Sequence, residues 1–304
     1  MKKILKTVGI CFIACLAFNC TSDDNSTDTQ KPGEEKPGEE KPGEEKPGEE
    51  ITLVVLDRME ETEYSSHYMN GELIKTELYS QTTHVFSYDQ KNQVVGMESN
   101  QLDEIPVGGG YLNKTKSTIT YNDANLITRL HVVDLSKNES WYDENFEYNS
   151  QGLLTKSFEA TEGELKTYAY NAQKQISTIT TSMDNDSHTI NYEYDSNGNI
   201  IRAFDPADNG EQEFFTYDDK LNPYTQMNIS LLYNDYESTY PLTLSKMAKN
   251  NVVTYKDYEG VEWVTEYEFN SMGYPTKAIS YYKNNQALLG NVKVYTYKTI
   301  TIQK

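Results

Sequence analysis

From Thr52 onward, apolar and polar residues alternate, and the alternation is punctuated by one recurring phrase: aromatic, any residue, aromatic, Asp or Asn, a polar turn, then an aliphatic. The copies read FSYDQKNQV, ITYNDANLI, FEYNSQGLL, YAYNAQKQI, YEYDSNGNI, FTYDDKLNP and YEFNSMGYP, keyed on Tyr88, Tyr121, Tyr148, Tyr170, Tyr194, Tyr217 and Phe269. The residue after each key aromatic is Asp or Asn, whose side chain bonds to backbone two residues on and nucleates a turn. Four positions after the key aromatic stand Asn92, Asn125, Gly152, Lys174, Gly198, Leu221 and Gly273, mostly residues that tolerate positive φ. Six positions after it come Val94, Ile127, Leu154, Ile176, Ile200, Pro223 and Pro275. Period-2 alternation on either side of such a turn reads as strand, turn, strand.

Successive key aromatics are 33, 27, 22, 24, 23 and 52 residues apart, the last as though an insert from Pro223 to Asn251 had overwritten one copy. A half-unit at Tyr295-Thr296-Tyr297 ends the series, and Asn70-Gly71 ahead of it is a two-residue hairpin signal. Two strands per unit plus the flanks give about 16 to 20 strands. The expected fold is all-β, a long antiparallel meander of repeated hairpins, curled or barrel-like, because so many twisted strands rarely stay an open sheet. A helix is expected only within Leu242 to Lys249, where the repeat is interrupted.

The YEYDSNGNI copy resembles the tyrosine-aspartate repeats of RHS and teneurin-type proteins, and FTYDDKLNPY with the later SKMAKNNV resembles surface lipoproteins of Bacteroidetes. The resemblance covers roughly Thr52 to the C-terminus. It implies a porin-like or shell-like antiparallel β architecture and brings no catalytic residues. The copies lack most of the Gly and Arg positions of RHS repeats.

The first 19 residues carry Lys2, Lys3 and Lys6 and then an apolar run from Val8 to Phe18, the pattern of a signal peptide. All three cysteines, Cys11, Cys15 and Cys20, lie in this region, so the domain that follows is expected to hold no disulfide or thiolate metal site. Cys20 stands where the apolar run gives way to TSDDN and resembles a lipoprotein processing site, which makes it the expected lipidation residue. The acidic TSDD resembles the tags that send such lipoproteins to the outer face of the outer membrane. KPGEE then repeats four times up to Glu50. Pro, Gly and repeated charge make residues 20–50 an extended tether, with a reach of about 100 Å. Residues 51–304 form the single repeat domain.

Charge excludes one class of partner. The signal contributes +3 and residues 20–50 hold four Lys against eleven acids, so residues 51–304 carry −16 of the chain's −20. Such a surface repels phosphate backbones, and no nucleic acid is expected as a partner. His67, His84, His131 and His188 sit in different units with no second ligand at metal spacing, and no GxSxG, HExxH or phosphate-loop signature occurs. The DPADNG segment at Asp205 starts like a calcium loop but has Ala207 at its third position. DSNGN at Asp195 is a repeat turn. Acidic pairs such as Glu60 and Glu61 carry little weight among the domain's 36 acids. No metal, cofactor or catalytic residue is assigned, and the expectation is not an enzyme.

Most of the 25 tyrosines fall on repeat positions and are expected to stack across strands. The inserts Met97 to Lys114, with Gly108-Gly109-Gly110, and Pro223 to Asn251 are the irregular segments where function is expected to concentrate. Strand parity separates the two tryptophans. Trp263, six residues before Phe269, should share the core face with Tyr267 and Val261. Trp141, seven before Tyr148, should face out among Asp143, Asn145 and Glu147, which makes it the candidate ligand-stacking residue. The function these features favour is a lipid-anchored, non-enzymatic surface protein with a binding or display role and an unidentified ligand, a glycan or a surface protein being the candidate partners, facing the cell exterior. The alternatives are an integral outer-membrane β-barrel and a surface glycan hydrolase.

Overall fold

The computed structural model describes residues 50–69, 72–103, 111–184, 186–207, 212–224, 227 and 248–303. The signal peptide, Cys20, nearly all of the tether, Asn70-Gly71, Gly108-Gly109-Gly110 and residues 242–247 lie outside them. Ala248 and Lys249, the end of the expected helical stretch, are not helical, and every regular element described is a strand.

Sixteen strands follow one another. The first six are β1 (Glu50–Met69), β2 (Glu72–Tyr88), β3 (Val94–Asp103), β4 (Tyr111–Tyr121), β5 (Ile127–Asp134) and β6 (Glu139–Tyr148). Next come β7 (Leu154–Glu159), β8 (Glu164–Tyr170), β9 (Ile176–Met183), β10 (Asp186–Tyr194) and β11 (Ile200–Phe204). The last five are β12 (Gln212–Leu221), β13 (Asn250–Lys256), β14 (Glu262–Phe269), β15 (Pro275–Tyr282) and β16 (Asn285–Gln303). Each pairs antiparallel with its neighbour in sequence, and β1 pairs with β16 from Glu50↔Gln303 to Glu63↔Asn291, which closes the sheet into a barrel. Closure leaves no sheet edge exposed. The expected insert Met97 to Lys114 is mostly the paired strands β3 and β4, in register from Gly96↔Thr118 to Asp103↔Tyr111.

All the repeat turns stand on one rim, the near rim, where β1 begins and β16 ends; the alternate hairpins form the far rim. At the near rim the Asx grammar holds: Asp195 Oδ1 accepts from the backbone N–H of Asn197 and Asn199, and Gly198 N–H donates to the Asp195 carbonyl. Asn92, Asn125, Gly152, Lys174, Gly198 and Gly273 all have positive φ, between 59° and 88°. The sixth unit corrects the expectation for Pro223. Tyr217 pairs with Val252, so Val252 takes the place that Pro223 holds by count, and Asn222 N–H donates to the Lys249 carbonyl across the two ends of the insert.

A β-bulge accompanies every key aromatic. Tyr88 pairs with Val94 while Ser87 pairs with Gly96, and the same slip recurs at Tyr121, Tyr148, Tyr170, Tyr194, Tyr217 and Phe269. One extra residue shifts the parity of the second strand. The sixth and ninth residues after the key aromatic therefore both turn inward, as in Val94 with Met97, Ile127 with Leu130 and Ile200 with Ala203. A strictly alternating strand would have turned one of them out.

These residues fill the near half of the lumen. One cluster gathers Leu56, Met59, Phe86, Val94, Ile119, Ile127, Leu130, Phe146, Leu154, Ala278 and Tyr295, and Tyr224 and Met227 of the insert join it. The Tyr224 hydroxyl lies 2.8 Å from Met59 Sδ. A smaller cluster of Ile190, Ile200, Ala203, Phe215 and Val252 lines β10 to β13. A barrel of this strand number is wide enough for a channel, but here side chains occupy its near end.

Candidate binding cleft and lumen

All but one of the repeat tyrosines have a second task besides packing. The hydroxyl donates to the carbonyl that opens the second strand of the preceding unit, Tyr121 to Val94, Tyr170 to Leu154, Tyr194 to Ile176 and Tyr217 to Ile200, and Tyr88 bonds likewise to Leu56 at the bulge within β1, all at 2.5 to 2.8 Å. In the last full unit Phe269 has no hydroxyl, and Tyr267 two residues earlier bonds the Val252 carbonyl at 2.9 Å instead; Tyr297 bonds that of Pro275 at 2.7 Å. The bulge interrupts the ladder at these places, and the hydroxyl supplies a donor for the interrupted backbone. Burial raises the pKa of these phenols, so they stay protonated donors.

Tyr148 breaks the series. Its ring packs against the core, yet its hydroxyl makes no such bond to the Ile127 carbonyl or to any other described residue. Beside it the near rim opens into a cleft of about 370 Å³ between β5 and β11, walled by Tyr148, Tyr170, Tyr194 and the aliphatics Ile127, Leu154 and Ile176. Gln175 lines it too; its Oε1 accepts from Asn171 Nδ2, while its own amide nitrogen has no partner among the described residues. At Gly198, with φ of 88°, a Cβ would come within 3.1 Å of Gln175 Nε2 and 3.3 Å of Lys249 Nζ, so this glycine leaves room for two nitrogen groups to converge. Lys174 stands on the cleft wall at the left-handed position of its turn. Neither Lys174 nor Lys249 forms an ion pair with a described residue.

The far half of the lumen is polar. Lys293 and Glu61 meet at 2.7 Å with both side chains under a tenth exposed. Burial lowers the lysine pKa, but the charge and hydrogen bond of Glu61 together with Tyr295 and Glu63 outweigh it, and the pKa rises. Glu60, beside Glu61, points to the other face and pairs with Arg58, so this acidic couple never converges. Glu144, 2% exposed, is raised by burial while the Tyr142 hydroxyl donates to it at 2.9 Å. Glu213 accepts from the Tyr255 hydroxyl at 2.7 Å, and burial pushes it up to about 7 despite that bond, with Asp257 adding to the rise. The histidines stay apart: His67 with Glu77, His84 with Ser99, His131 with Ser140 and His188 with Asp205. No group of three or more potential ligands gathers among the described residues.

Trp263 stands on the core face as its parity predicts, edge-on to Tyr282, with Gly290 leaving space for its ring. Trp141 is 43% exposed and sits at a bulge, skipped between Val132↔Tyr142 and Val133↔Ser140. It lies at the far-rim end of β6, roughly 23 Å along the strand from Tyr148, so the cleft does not include it.

The outer wall carries charge. Arg129 grips Asp143 through two bonds of 2.7 and 2.6 Å, which holds the Asp143 carboxyl below its usual range. Arg202 meets Glu193 at 2.9 Å and Lys116 meets Glu98 at 3.5 Å on the same outer face.

The fold is thus a closed, sixteen-stranded antiparallel barrel of the porin-like kind. A crystal structure of a porin-like protein from Bacteroides uniformis is similar to it over 80% of this chain and 98% of that one, with TM-score 0.50 and 14% identity. A second porin-like protein, from Bacteroides vulgatus, matches 81% of this chain and 99% of its own at 12% identity, with TM-score 0.25. A TcdB2-TccC3-Cdc42 structure matches over 74% of this chain but 14% of its own, with TM-score 0.29 and 13% identity. No protein-family model matches the chain, and no curated protein matches it in sequence.

Proposed function

We propose that this protein is a lipid-anchored, non-enzymatic surface protein, exported by its signal peptide, held at Cys20 and displaying a water-immersed barrel that binds a ligand outside the cell. The observation that carries the reading is the wall. A membrane barrel presents an apolar band about 25 Å tall, and Arg or Lys on its lipid face costs roughly 2–4 kcal/mol at the midplane. Here Arg129–Asp143, Arg202–Glu193 and Lys116–Glu98 occupy outward positions of the strands. The near half of the lumen is packed with side chains, which favours binding over conduction. Binding would fall to the cleft beside Tyr148, where aromatic faces, an amide and Lys174 form the wall and Lys249 Nζ lies beside Gly198.

Two experiments test it. Protease added to intact cells should remove the barrel from the wild type, and Cys20→Ser should release the protein from membranes. On gels, cold and boiled samples should run alike, and the protein should add no conductance to planar bilayers. Heat-dependent mobility together with single-channel steps would instead establish an integral barrel.

A further inference from the structure

We propose that the near-rim cleft between β5 and β11 is a subsite for an anionic sugar ring, bearing a uronate carboxylate or a sulfate ester, within an extended polysaccharide. The proposal rests on the reading of the barrel as a binding protein and adds the chemistry of the ligand.

Three features point to this class. The first is the tyrosine array. Tyr148, Tyr170 and Tyr194 come from successive units, hence are two strands apart, about 10 Å at ordinary strand spacing. The hydroxyls of Tyr170 and Tyr194 are bonded to backbone, so those rings are held in place before a ligand arrives. Rigid tyrosines offer amphipathic surface at low entropic cost, and equally spaced ones suit a chain of like units.

The second is the pair of uncommitted polar groups. The Tyr148 hydroxyl is the member of the series that forgoes its carbonyl, and Gln175 Nε2 lies beside Gly198 without an acceptor. A sugar presents hydroxyls that both donate and accept, which satisfies a phenol and an amide together. A purely hydrocarbon ligand would leave both unpaired, at a cost.

The third is charge. Residues 51–304 carry −16, and most basic side chains near the wall are committed to acids, yet Lys249 Nζ comes to Gly198 and Lys174 stands on the cleft wall, neither paired to a carboxylate among the described residues. One ammonium group on the cleft wall and a second beside Gly198, neither paired to an acid among the described residues, select an anion. At physiological salt the repulsion from acids beyond about 8 Å is largely screened, so the local pair decides the sign of the interaction.

The test is calorimetric titration of the purified full-length protein with polygalacturonate, dextran sulfate and unsubstituted dextran. At least one acidic polymer should bind ten times or more tighter than dextran. Preference for polygalacturonate assigns a carboxylate, and preference for dextran sulfate assigns a sulfate ester. Lys174→Gly, which keeps the left-handed backbone, combined with Lys249→Ala should reduce that affinity tenfold or more without changing the melting temperature, since both side chains are exposed. Tyr148→Phe should reduce it about threefold, a typical effect of one neutral hydrogen bond. The proposal is overturned if dextran binds as well as the acidic polymers, if none binds, or if the double lysine variant keeps full affinity. Because the titration uses purified protein, a failure of surface anchoring in the Cys20→Ser experiment leaves it untouched, and the two readings fail separately.

Discussion

The near and far halves of the barrel obey different rules. At the near rim, unit after unit repeats one construction: an Asx turn, a left-handed residue, a bulge, and a tyrosine that reaches back to the previous unit. At the far rim the hairpins differ in length and chemistry, and the lumen between them is lined by individually paired acids. Repetition therefore builds the closed end, where each unit stabilises its neighbour. Divergence occupies the end where each residue answers only to its local partner. The cleft sits where repetition lapses, at the one key tyrosine that leaves its carbonyl unclaimed.

The largest effect that sharpens this contrast is expected in the shared core. Phe86→Ala, at a side chain 1% exposed, should cost about 3–5 kcal/mol, read as a lower midpoint in urea. A loss under about 1 kcal/mol would mean that the near half is not the cohesive one. In the far half, Lys293→Met removes the ammonium that Glu61 meets inside the barrel and should cost roughly 3 kcal/mol, while the double variant with Glu61→Gln should recover a good part of it. If the double variant is no better than the single, the pair is not what that half depends on.

The tryptophans provide a smaller contrast. Trp263→Ala should cost about 3 kcal/mol, whereas Trp141→Ala should stay within about 0.5 kcal/mol. Equal losses would refute the face assignment. Acidity separates the halves again. Glu213 is raised to about 7, so the folded state holds its proton more tightly than the unfolded chain does. Its contribution is fully present below the ordinary glutamate pKa and is lost as pH rises through about 7. Glu213→Gln should flatten that part of the pH–stability curve, and an unchanged slope between pH 5 and 7 would contradict it. The finest comparison is within the tyrosines. Tyr170→Phe should lose about 1 kcal/mol with its bond to the Leu154 carbonyl, and Tyr148→Phe nearly nothing. Identical losses would show that Tyr148 is no exception.

Much of the near rim is legible in the chain because its signals are local. Asp or Asn followed by a left-handed residue acts within five positions, so the turns at Asp89, Asn122, Asn149, Asn171, Asp195 and Asn270 fall where the pattern puts them. The hydroxyl bonds escape such reading because each involves two units, as when Tyr194 meets the carbonyl of Ile176, and the bulges because they belong to the pairing of the strands and not to the phrase itself. Stacking alone explains the tyrosines incompletely. Val252 is masked by the insert, since counting from Tyr217 arrives at Pro223 while pairing arrives 29 residues later. The cleft is further hidden: Tyr148 and Tyr170 occupy equivalent places in the phrase, and Lys249 reaches Gly198 across 51 positions. The turn at Asp257, closed by Gly260 at φ of 86°, lies at the far rim and lacks the preceding aromatic, although its DYEG run was a readable sign.

Closure of the barrel by its two end strands also sets how the molecule bears load. Tension applied through the chain upstream of Glu50 would act on β1, which is zipped to β16 over thirteen residue pairs and to β2 over much of its length. Tension directed along β1 strains these bonds together, in shear, instead of peeling them one after another. Drag on a surface-held barrel would thus meet its strongest seam first, and the strands beyond would stay folded until that seam slid.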